Sequence, residues 1–470
     1  MPRQNRRKHI FLENIEIINT ASKGKSIAKH DSRVIFVKGA VPGDVCNITV
    51  YKRRKKYWEA STNKILKNSK NRIEPECSHF GTCGGCKWQN MNYQSQLEFK
   101  QNEVINNLSK IGGITISKFH KIIGSKKIFN YRNKMEFTFS NKRWITKEEI
   151  ENIENIENKN ALGFHVPGMF DKVIDIEKCY LQEEPSNEIR NAVNKFSLKH
   201  NLSFFDIKNQ KGLLRNLMIR TSNSGELMVL VQFFYNDKNE IELLMNFLKE
   251  NFTQITSLLY TVNSKANNTI YDQEIICYSG LEYITEKIED LSFKIGPKSF
   301  FQTNSDQAEI LYKSARKLAK ISKSDIVYDL YTGTGTIAQF ISSNAKKVIG
   351  IDSVPEAIKA ATESAKNNNI HNCSFFAGDM KNIFSDDFIL QNGSPDIIIT
   401  DPPRDGMHKK VIEQLLKIKS KRIVYISCNP ATQARDIALL KDLYLVSEMQ
   451  TVDMFPHTHH VENILVLDLR

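Results

Sequence analysis

Cys428 stands in Ser427-Cys428-Asn429-Pro430, directly after the apolar run Arg422 to Ile426. Glu462 stands 34 residues later in His457-Thr458-His459-His460-Val461-Glu462-Asn463, just ahead of a terminal apolar run. A thiolate at a strand end can add to an electron-poor double bond, and a carboxylate within reach can then take a proton from the adduct. Carbon 5 of uracil is a poor nucleophile; sulfur added to carbon 6 turns the ring into an enolate that can attack a methyl sulfonium. In that scheme Cys428 adds to carbon 6 and Glu462 removes the carbon-5 proton, so that elimination frees the cysteine. A lone strand-end cysteine is ordinarily a small core residue, and a Glu before a strand is ordinarily solvated; their order along the chain is what singles them out. The scheme also needs positive or hydrogen-bonding surroundings that lower the thiol pKa.

A methyl donor needs a cradle, and four motifs occur in order. The run Asp329-Leu330-Tyr331-Thr332-Gly333-Thr334-Gly335-Thr336 closes one apolar strand, and Gly350-Ile351-Asp352 closes the next. Gly-x-Gly lets backbone approach a ligand, and an acid at the following strand tip can accept hydrogen bonds from a ribose. Gly378-Asp379 and Asp401-Pro402-Pro403-Arg404 follow. No third glycine sits where a dinucleotide fingerprint requires one, which favours S-adenosylmethionine over a pyrophosphate ligand. Ordinary βα turns are the bland alternative.

These motifs punctuate short apolar runs at Ile326 to Leu330, Lys347 to Ile351, Asp396 to Thr400 and Arg422 to Ile426, with helical segments between them. That alternation predicts an α/β, doubly wound parallel sheet. From Tyr93 to Ile111 the spacing of Leu97, Val104, Leu108 and Ile111 predicts a helix ended by Gly112-Gly113. Residues 128–290 read as strands with connecting helices. Lys147 to Asn160, with its repeated Glu-Asn-Ile, reads as a surface insertion in a hairpin. Residues 11–66 alternate apolar and polar around the turn Pro42-Gly43-Asp44, which predicts a small antiparallel barrel.

The formal net charge is +13, and residues 1–75 hold 18 Lys and Arg against 6 Asp and Glu. Nearly all the excess thus lies at one end, the footprint of a polyanion-binding module rather than of a solvated tail. Lys52 to Lys56 run into Tyr57 and Trp58, a mixture suited to single-stranded or looped RNA. The chain shows no apolar run of membrane-spanning length and its first residues are polar and basic, so a cytoplasmic protein with no membrane association is expected.

Eight cysteines without an export signal are not expected to form disulfides. Cys77-x5-Cys83-x2-Cys86, within a glycine-rich stretch, has ligand spacing, and Cys179 is the candidate fourth ligand. Spacing alone leaves a zinc tetrathiolate and an iron-sulfur cluster open. Cys46, Cys277 and Cys373 read as small core residues.

Phe300-Phe301-Gln302-Thr303-Asn304, Asp401-Pro402-Pro403-Arg404, Ser427-Cys428-Asn429-Pro430 and His460-Val461-Glu462-Asn463 resemble, in order, the motifs of the RNA uracil-C5 methyltransferase family. Val41 to Asp44 and the basic strand end resemble a TRAM domain, a barrel of the oligonucleotide-binding type. The resemblance covers nearly the whole chain. It implies a class I, Rossmann-like methyltransferase domain (93–124 and 291–470), a TRAM-like barrel (1–66) and a central α+β domain with the cysteine cluster (67–92 and 125–290). It implies a cofactor pocket of Gln302, Tyr331, Thr336, Asp352, Asp379 and Asp401, with Cys428 as nucleophile and Glu462 as base. Asp352 stands where many relatives carry Glu. The resemblance further implies a [4Fe-4S] cluster on Cys77, Cys83, Cys86 and Cys179, serving as a structural staple or RNA contact, since the methyl transfer needs no electron. Family members acting on transfer RNA commonly look shorter, which points to 23S ribosomal RNA as substrate, with tRNA as the alternative and no obligate protein partner. A cytosine-C5 enzyme would carry cysteine after Asp-Pro-Pro, where Arg404 stands. A radical enzyme with a TRAM domain would need a Cys-x3-Cys-x2-Cys triplet, which the sequence lacks. A non-enzymatic RNA-folding or ribosome-assembly factor would keep the basic barrel and tolerate loss of Cys428 and Glu462.

Overall fold

The computed structural model describes residues 9–151 and 158–470, which leaves the basic start Met1 to Lys8 and most of the Glu-Asn-Ile repeat outside the described residues. Strands Ile10–Thr20, Ser26–His30, Arg33–Lys38, Val45–Arg53 and Tyr57–Lys67 form a closed barrel. It is filled by alternate residues such as Ile15, Ile17, Ile35, Val37, Ile48 and Val50. The expectation of a purely antiparallel barrel is corrected at one seam, where Arg33–Lys38 runs parallel to Tyr57–Lys67. Five strands closed into a ring cannot alternate direction all the way round, so one like-directed pair is unavoidable. The Pro42-Gly43-Asp44 turn is fixed by the buried Asp44 carboxylate, which accepts from the Val41 and Ser69 amides at 2.7 and 2.9 Å and from Arg72 Nη2 at 2.6 Å. Gly43 has φ +95°, and a Cβ there would lie 2.7 Å from Ser69 Oγ, so only glycine makes the turn.

The central sheet has seven strands in the order Ile276–Gly280, Ser257–Val262, Leu227–Phe233, Leu214–Thr221, Lys134–Ser140, Ala161–His165 and Val173–Asp175. Its one parallel pair, Leu227–Phe233 with Ser257–Val262, is bridged by helix Lys238–Asn251. Leu227 to Val231 is apolar throughout because both faces are covered. Val229 and Val231 pack beneath the helices, whereas Met228 and Leu230 pack into the core of the catalytic domain. The antiparallel strands Lys134–Ser140 and Ala161–His165 flank the low-complexity stretch.

The largest sheet has eight strands in the order Cys373–Ala377, Lys347–Asp352, Ile326–Leu330, Ile397–Thr400, Arg422–Ser427, Glu462–Leu469, Tyr444–Val452 and Lys118–Phe119. The first five are parallel, so their carboxyl ends share one edge. Strand order reverses between Ile326–Leu330 and Ile397–Thr400, the switch point at which doubly wound sheets open a crevice. Helix Tyr93–Lys110 packs against helix Pro430–Leu440, burying Leu97, Val104 and Leu108. Ile111, expected on the same stripe, is the C-cap and is exposed, because the helix ends one residue earlier. Cys46 lies in the barrel core; Cys277 and Cys373 are only half-buried, Cys277 on an edge strand of the central sheet. Among the described residues no helix is long and apolar enough to cross a membrane.

On the buried face of helix Tyr93–Lys110, Lys100 is fully enclosed and donates to Asp453 Oδ1 at 2.6 Å and to the Phe455 carbonyl at 3.0 Å. Tyr93 Oη donates to the other Asp453 oxygen at 2.8 Å. Removing one partner of a buried pair leaves the other charge uncompensated, at about 3–5 kcal/mol. Lys100→Met should therefore lower the unfolding free energy by about that amount in urea titrations.

Candidate active site

The strand tips carry the residues in question. Beyond Leu330 the chain turns through Tyr331, Gly333 and Gly335, all with positive φ (+64°, +56° and +74°), before helix Thr336–Ser342. For Tyr331 this conformation costs about 1–3 kcal/mol. A Cβ on Gly335 would lie 2.8 Å from Ala361 and from the Phe375 ring, so the loop can lie this close to the sheet only as glycine. Asp352 is held in place by two amides, Gly333 N–H on Oδ2 and Val354 N–H on Oδ1, each at 2.9 Å. Remaining lone pairs can accept ribose hydroxyls. Asp329, buried one residue before the strand end, accepts from Thr332 Oγ1 at 2.5 Å and from the Ala338 amide at 3.0 Å, while its Oδ1 has no partner. An orphaned buried oxygen beside a glycine loop fits a ligand such as S-adenosylmethionine. Asp379 is the outlier among the sequence-derived residues: it is exposed, caps the short helix Met380–Ile383 and pairs with Lys381 at 2.9 Å. It lies near Tyr331 but apart from the buried acids.

Two further acids, Asp401 and Glu462, lie near Cys428. Pairing of strand Arg422–Ser427 with Glu462–Leu469 sets Ser427 opposite Asn463, so the next step of the register brings Cys428 opposite Glu462. Glu462 is buried rather than solvated. Burial, reinforced by Asp401 and opposed by Arg404, raises its carboxyl well above the usual range. Burial pushes Asp401 up to about 7, and burial with the Asp401 charge does the same for Asp329. Tyr312 stands within the field of Asp401, Asp329 and Glu462.

The thiol does not have the environment that the sequence-based scheme requires. Burial pushes Cys428 up to about 11, with Glu462 and Asp401 adding to the effect and Arg404 opposing it. The neighbouring imidazoles give no help, since burial brings His457, His459 and His460 each down to about 4 and leaves them neutral at pH 7. Arg404 is held beside the sulfur by its backbone: Asn429 Nδ2 and Thr432 Oγ1 donate to its carbonyl at 2.9 and 3.1 Å.

The loop leading to Glu462 is clamped at His457, whose φ is +64°. Its carbonyl accepts from the Lys87 and Trp88 amides at 2.7 and 3.0 Å, its amide donates to Gln96 Oε1 at 2.8 Å, and its ring stacks on Phe129 at 4.4 Å. Beyond Glu462, Asn463 exchanges hydrogen bonds with Gln433 and Thr451. Lys100, Asp329 and Arg404 were given no role from sequence. For Lys100 a signal existed: it falls three residues after Leu97 and four before Val104, on the apolar stripe.

Cys77, Cys83, Cys86 and Cys179 line one cavity of about 470 Å³ together with Thr458 of the clamped loop. Gln89 Nε2 donates to Cys86 Sγ at 3.2 Å, and the Gly85 amide to Cys83 Sγ at 3.5 Å. Burial pushes the Cys86 thiol up to about 12 and Cys179 to about 11. Among the described residues no three His, Cys, Asp or Glu side chains converge as a site for a single metal ion.

The model of the tRNA (uracil-5-)-methyltransferase family matches residues 221–470. A Bacteroides thetaiotaomicron protein described as an uncharacterized RNA methyltransferase is 52% identical over 453 residues, covering 96% of this chain and 100% of its own length. A Chlorobaculum tepidum protein of the same description is 39% identical over 96% of this chain and 95% of its own. The crystal structure of Pyrococcus abyssi tRNA (uracil-54, C5)-methyltransferase in complex with S-adenosyl-L-homocysteine is similar at 29% identity and a TM-score of 0.74, over 96% of this chain and 100% of that one.

Because burial sets the folded pKa of Asp401 at about 7, above the value of about 4 in an unfolded chain, its contribution to stability is full below about pH 4 and is lost as pH rises through about 7. The melting temperature of Asp401→Asn relative to the unsubstituted, ligand-free protein should therefore rise between about pH 4 and pH 7 and level off above that. Thermal denaturation of both proteins across the range measures it.

Proposed function

The chain belongs to the tRNA (uracil-5-)-methyltransferase family and acts as an S-adenosylmethionine-dependent RNA uracil-C5 methyltransferase; on that premise we propose that Cys428 forms the covalent adduct, Glu462 is the base, and a uridine of 23S ribosomal RNA is the substrate. The observation that carries the reading is the register that sets Cys428 opposite a buried Glu462 beside Asp401 and Arg404.

When bound, S-adenosylmethionine supplies an electrophilic methyl on a positively charged sulfur. Asp329, Asp352 and Asp401 provide acceptors at the strand tips, which suits such a ligand, and Tyr312 lies near Asp401 and Asp329. A cation held there would offset the charges that keep Cys428 protonated, and the thiol would then lose its proton to solvent more readily. The Cys428 thiolate then forms a bond to carbon 6 of the uracil, and the electron pair of the double bond moves onto carbon 5 and oxygen 4. That electron pair on carbon 5 would form the new bond to the methyl carbon as the bond from the methyl to the sulfonium breaks, the sulfur leaving as a neutral thioether. Glu462, ionised for this step, accepts the carbon-5 proton, and the returning electron pair breaks the sulfur-to-carbon bond. The raised Glu462 pKa makes it a stronger base than an exposed carboxylate. The base must leave its stack to reach a pocket at the sheet edge.

Cys77, Cys83, Cys86 and Cys179 would hold the [4Fe-4S] cluster. Four thiols spread around one roomy cavity fit a multi-atom inorganic core, which would serve here as a staple. Lys87 and Trp88, directly after Cys86, clamp His457 at the root of the Glu462 loop, so anything that fixes Cys86 also fixes the base.

The barrel supports RNA binding through Arg33 stacked over Trp58 at 4.9 Å and Lys38 over Tyr51 at 5.5 Å. Lys25 and Lys52 are instead paired to Glu59. The choice of ribosomal RNA rests on the cysteine cluster. Neither chain length nor the barrel supports it, because the Pyrococcus abyssi tRNA enzyme is matched over its whole length and over 96% of this chain; tRNA is therefore the second reading. Mass mapping of both RNAs from cells lacking the protein decides: one 23S uridine should lose its 5-methyl group, and loss from tRNA instead would replace the first reading by the second.

Cys428→Ala should lower methyl transfer by about a thousandfold or more while RNA binding persists, and Glu462→Gln should accumulate a protein–RNA adduct resistant to denaturing gels. Absence of any adduct on 5-fluorouridine RNA with cofactor-loaded protein would exclude the covalent route. Cys86→Ser should abolish iron and acid-labile sulfide in anaerobically purified protein and lower kcat.

A further inference from the structure

Met218, Met228 and Leu230 of the central sheet join the core shared with the catalytic domain, but further along the same strands that face opens into a second cavity of about 360 Å³. Met218, Leu230 and Ile270 line it with apolar surface. Asn216 and Gln232 stand side by side in it, because the register pairs one directly with the other. Gln232 is 2% exposed, yet its Oε1 has no partner, and its Nε2 reaches only the Asn268 carbonyl at 3.5 Å. The Asn216 Oδ1 is buried and unpartnered as well. A buried acceptor left unpaired is destabilising, and two of them at one opening call for donors supplied from outside.

The wall opposite is rigidly built. Arg215, fully buried, donates to the carbonyls of Asn263, Lys265 and Asn267 at 2.6, 2.7 and 3.1 Å and to Asn268 Oδ1 at 2.6 Å. Asn263 Nδ2 donates to the Asn267 and Thr269 carbonyls at 2.9 Å. The loop so held carries Tyr271, 70% exposed, to the mouth. Lys134 and Glu136 at the other rim are bonded to each other at 2.6 Å, so neither offers net charge to a ligand. Pro297 closes the pocket five residues before Gln302. Asn133, next to Lys134, donates to the Gln302 carbonyl at 3.0 Å, tying the pocket to the active-site loop.

Adjacent acceptors on an apolar floor, with an aromatic ring at the mouth and no unpaired charge, fit a flat neutral heterocycle carrying an exocyclic amino group. We propose that this pocket receives a second base of the RNA substrate, an adenine, cytosine or guanine near the methylated uridine, and that Asn216 and Gln232 read its amino group. The proposal rests on RNA being the substrate. It makes the central domain a reader of sequence beside the target, whereas the barrel holds RNA by charge and stacking.

Photolabelling with 8-azidoadenosine 5′-monophosphate tests the pocket without any methyl transfer. The labelled peptide should contain Tyr271, labelling should be lost in Gln232→Leu, and AMP or CMP should compete about fivefold better than UMP, which lacks an amino group. In methylation of total RNA from cells lacking the protein, Gln232→Leu and the surface variant Tyr271→Ala should raise KM about tenfold with kcat changed by less than about twofold. Equal competition by UMP, labelling that survives in Gln232→Leu, or an unchanged KM in Tyr271→Ala overturns the proposal. If the wild-type protein methylates no RNA, the functional reading fails on its own, and the nucleotide competition still decides the pocket.

Discussion

Lys100 and Asp453 are two opposite charges without access to water, and each is tolerable only because the other is there. Their partners spread the constraint outward. Asp453 also takes the Tyr93 hydroxyl and the Phe455 amide, and Lys100 also holds the Phe455 carbonyl. The helix from residue 93 to 110 is thereby locked to the segment that leads into Glu462, and Gln96 of the same helix adds a bond to His457. The same segment touches the cysteine-lined cavity through Thr458 and the residues after Cys86. Domain packing, the cysteine cavity and the position of the candidate base thus share one anchor.

A second constraint acts at the sulfur itself. Asp401 and the buried Glu462 stand beside the Cys428 thiol, so in the ligand-free protein the charged forms of all three are disfavoured. Such a site is poised for a positively charged ligand: its own charges repel each other, and a cation relieves them. Arg404, set by its backbone bonds to Asn429 and Thr432, supplies part of that relief, whereas the imidazoles of His457, His459 and His460 supply none. A carboxylate of raised basicity next to a cysteine is suited to receiving a proton from carbon, which an exposed, weakly basic glutamate would do slowly.

Much of this was legible along the chain. The alternation of apolar runs with glycine and acid motifs at their ends carries the doubly wound sheet, because strand period and turn chemistry are local properties. Cys428, Glu462 and the strand-tip acids could be named from motif order alone. The parallel seam of the barrel could not, since ring closure is a property of five strands together. Nor could the exposure of Asp379, the half-burial of Cys277, or the isolation of Asn216 and Gln232 around a cavity, each of which depends on what a distant segment covers.

Residue types and their order determined which atoms could react, which fold would carry them and which polymer the basic end would favour. Tertiary structure alone decided the protonation of those atoms and their partners. A pKa is set by the water and charge within a few ångströms, and those charged neighbours come from strand ends 23 to 72 residues apart. The same holds for Lys100: a lysine on an apolar stripe is an anomaly in sequence and becomes an anchor only when folding brings Asp453 to it.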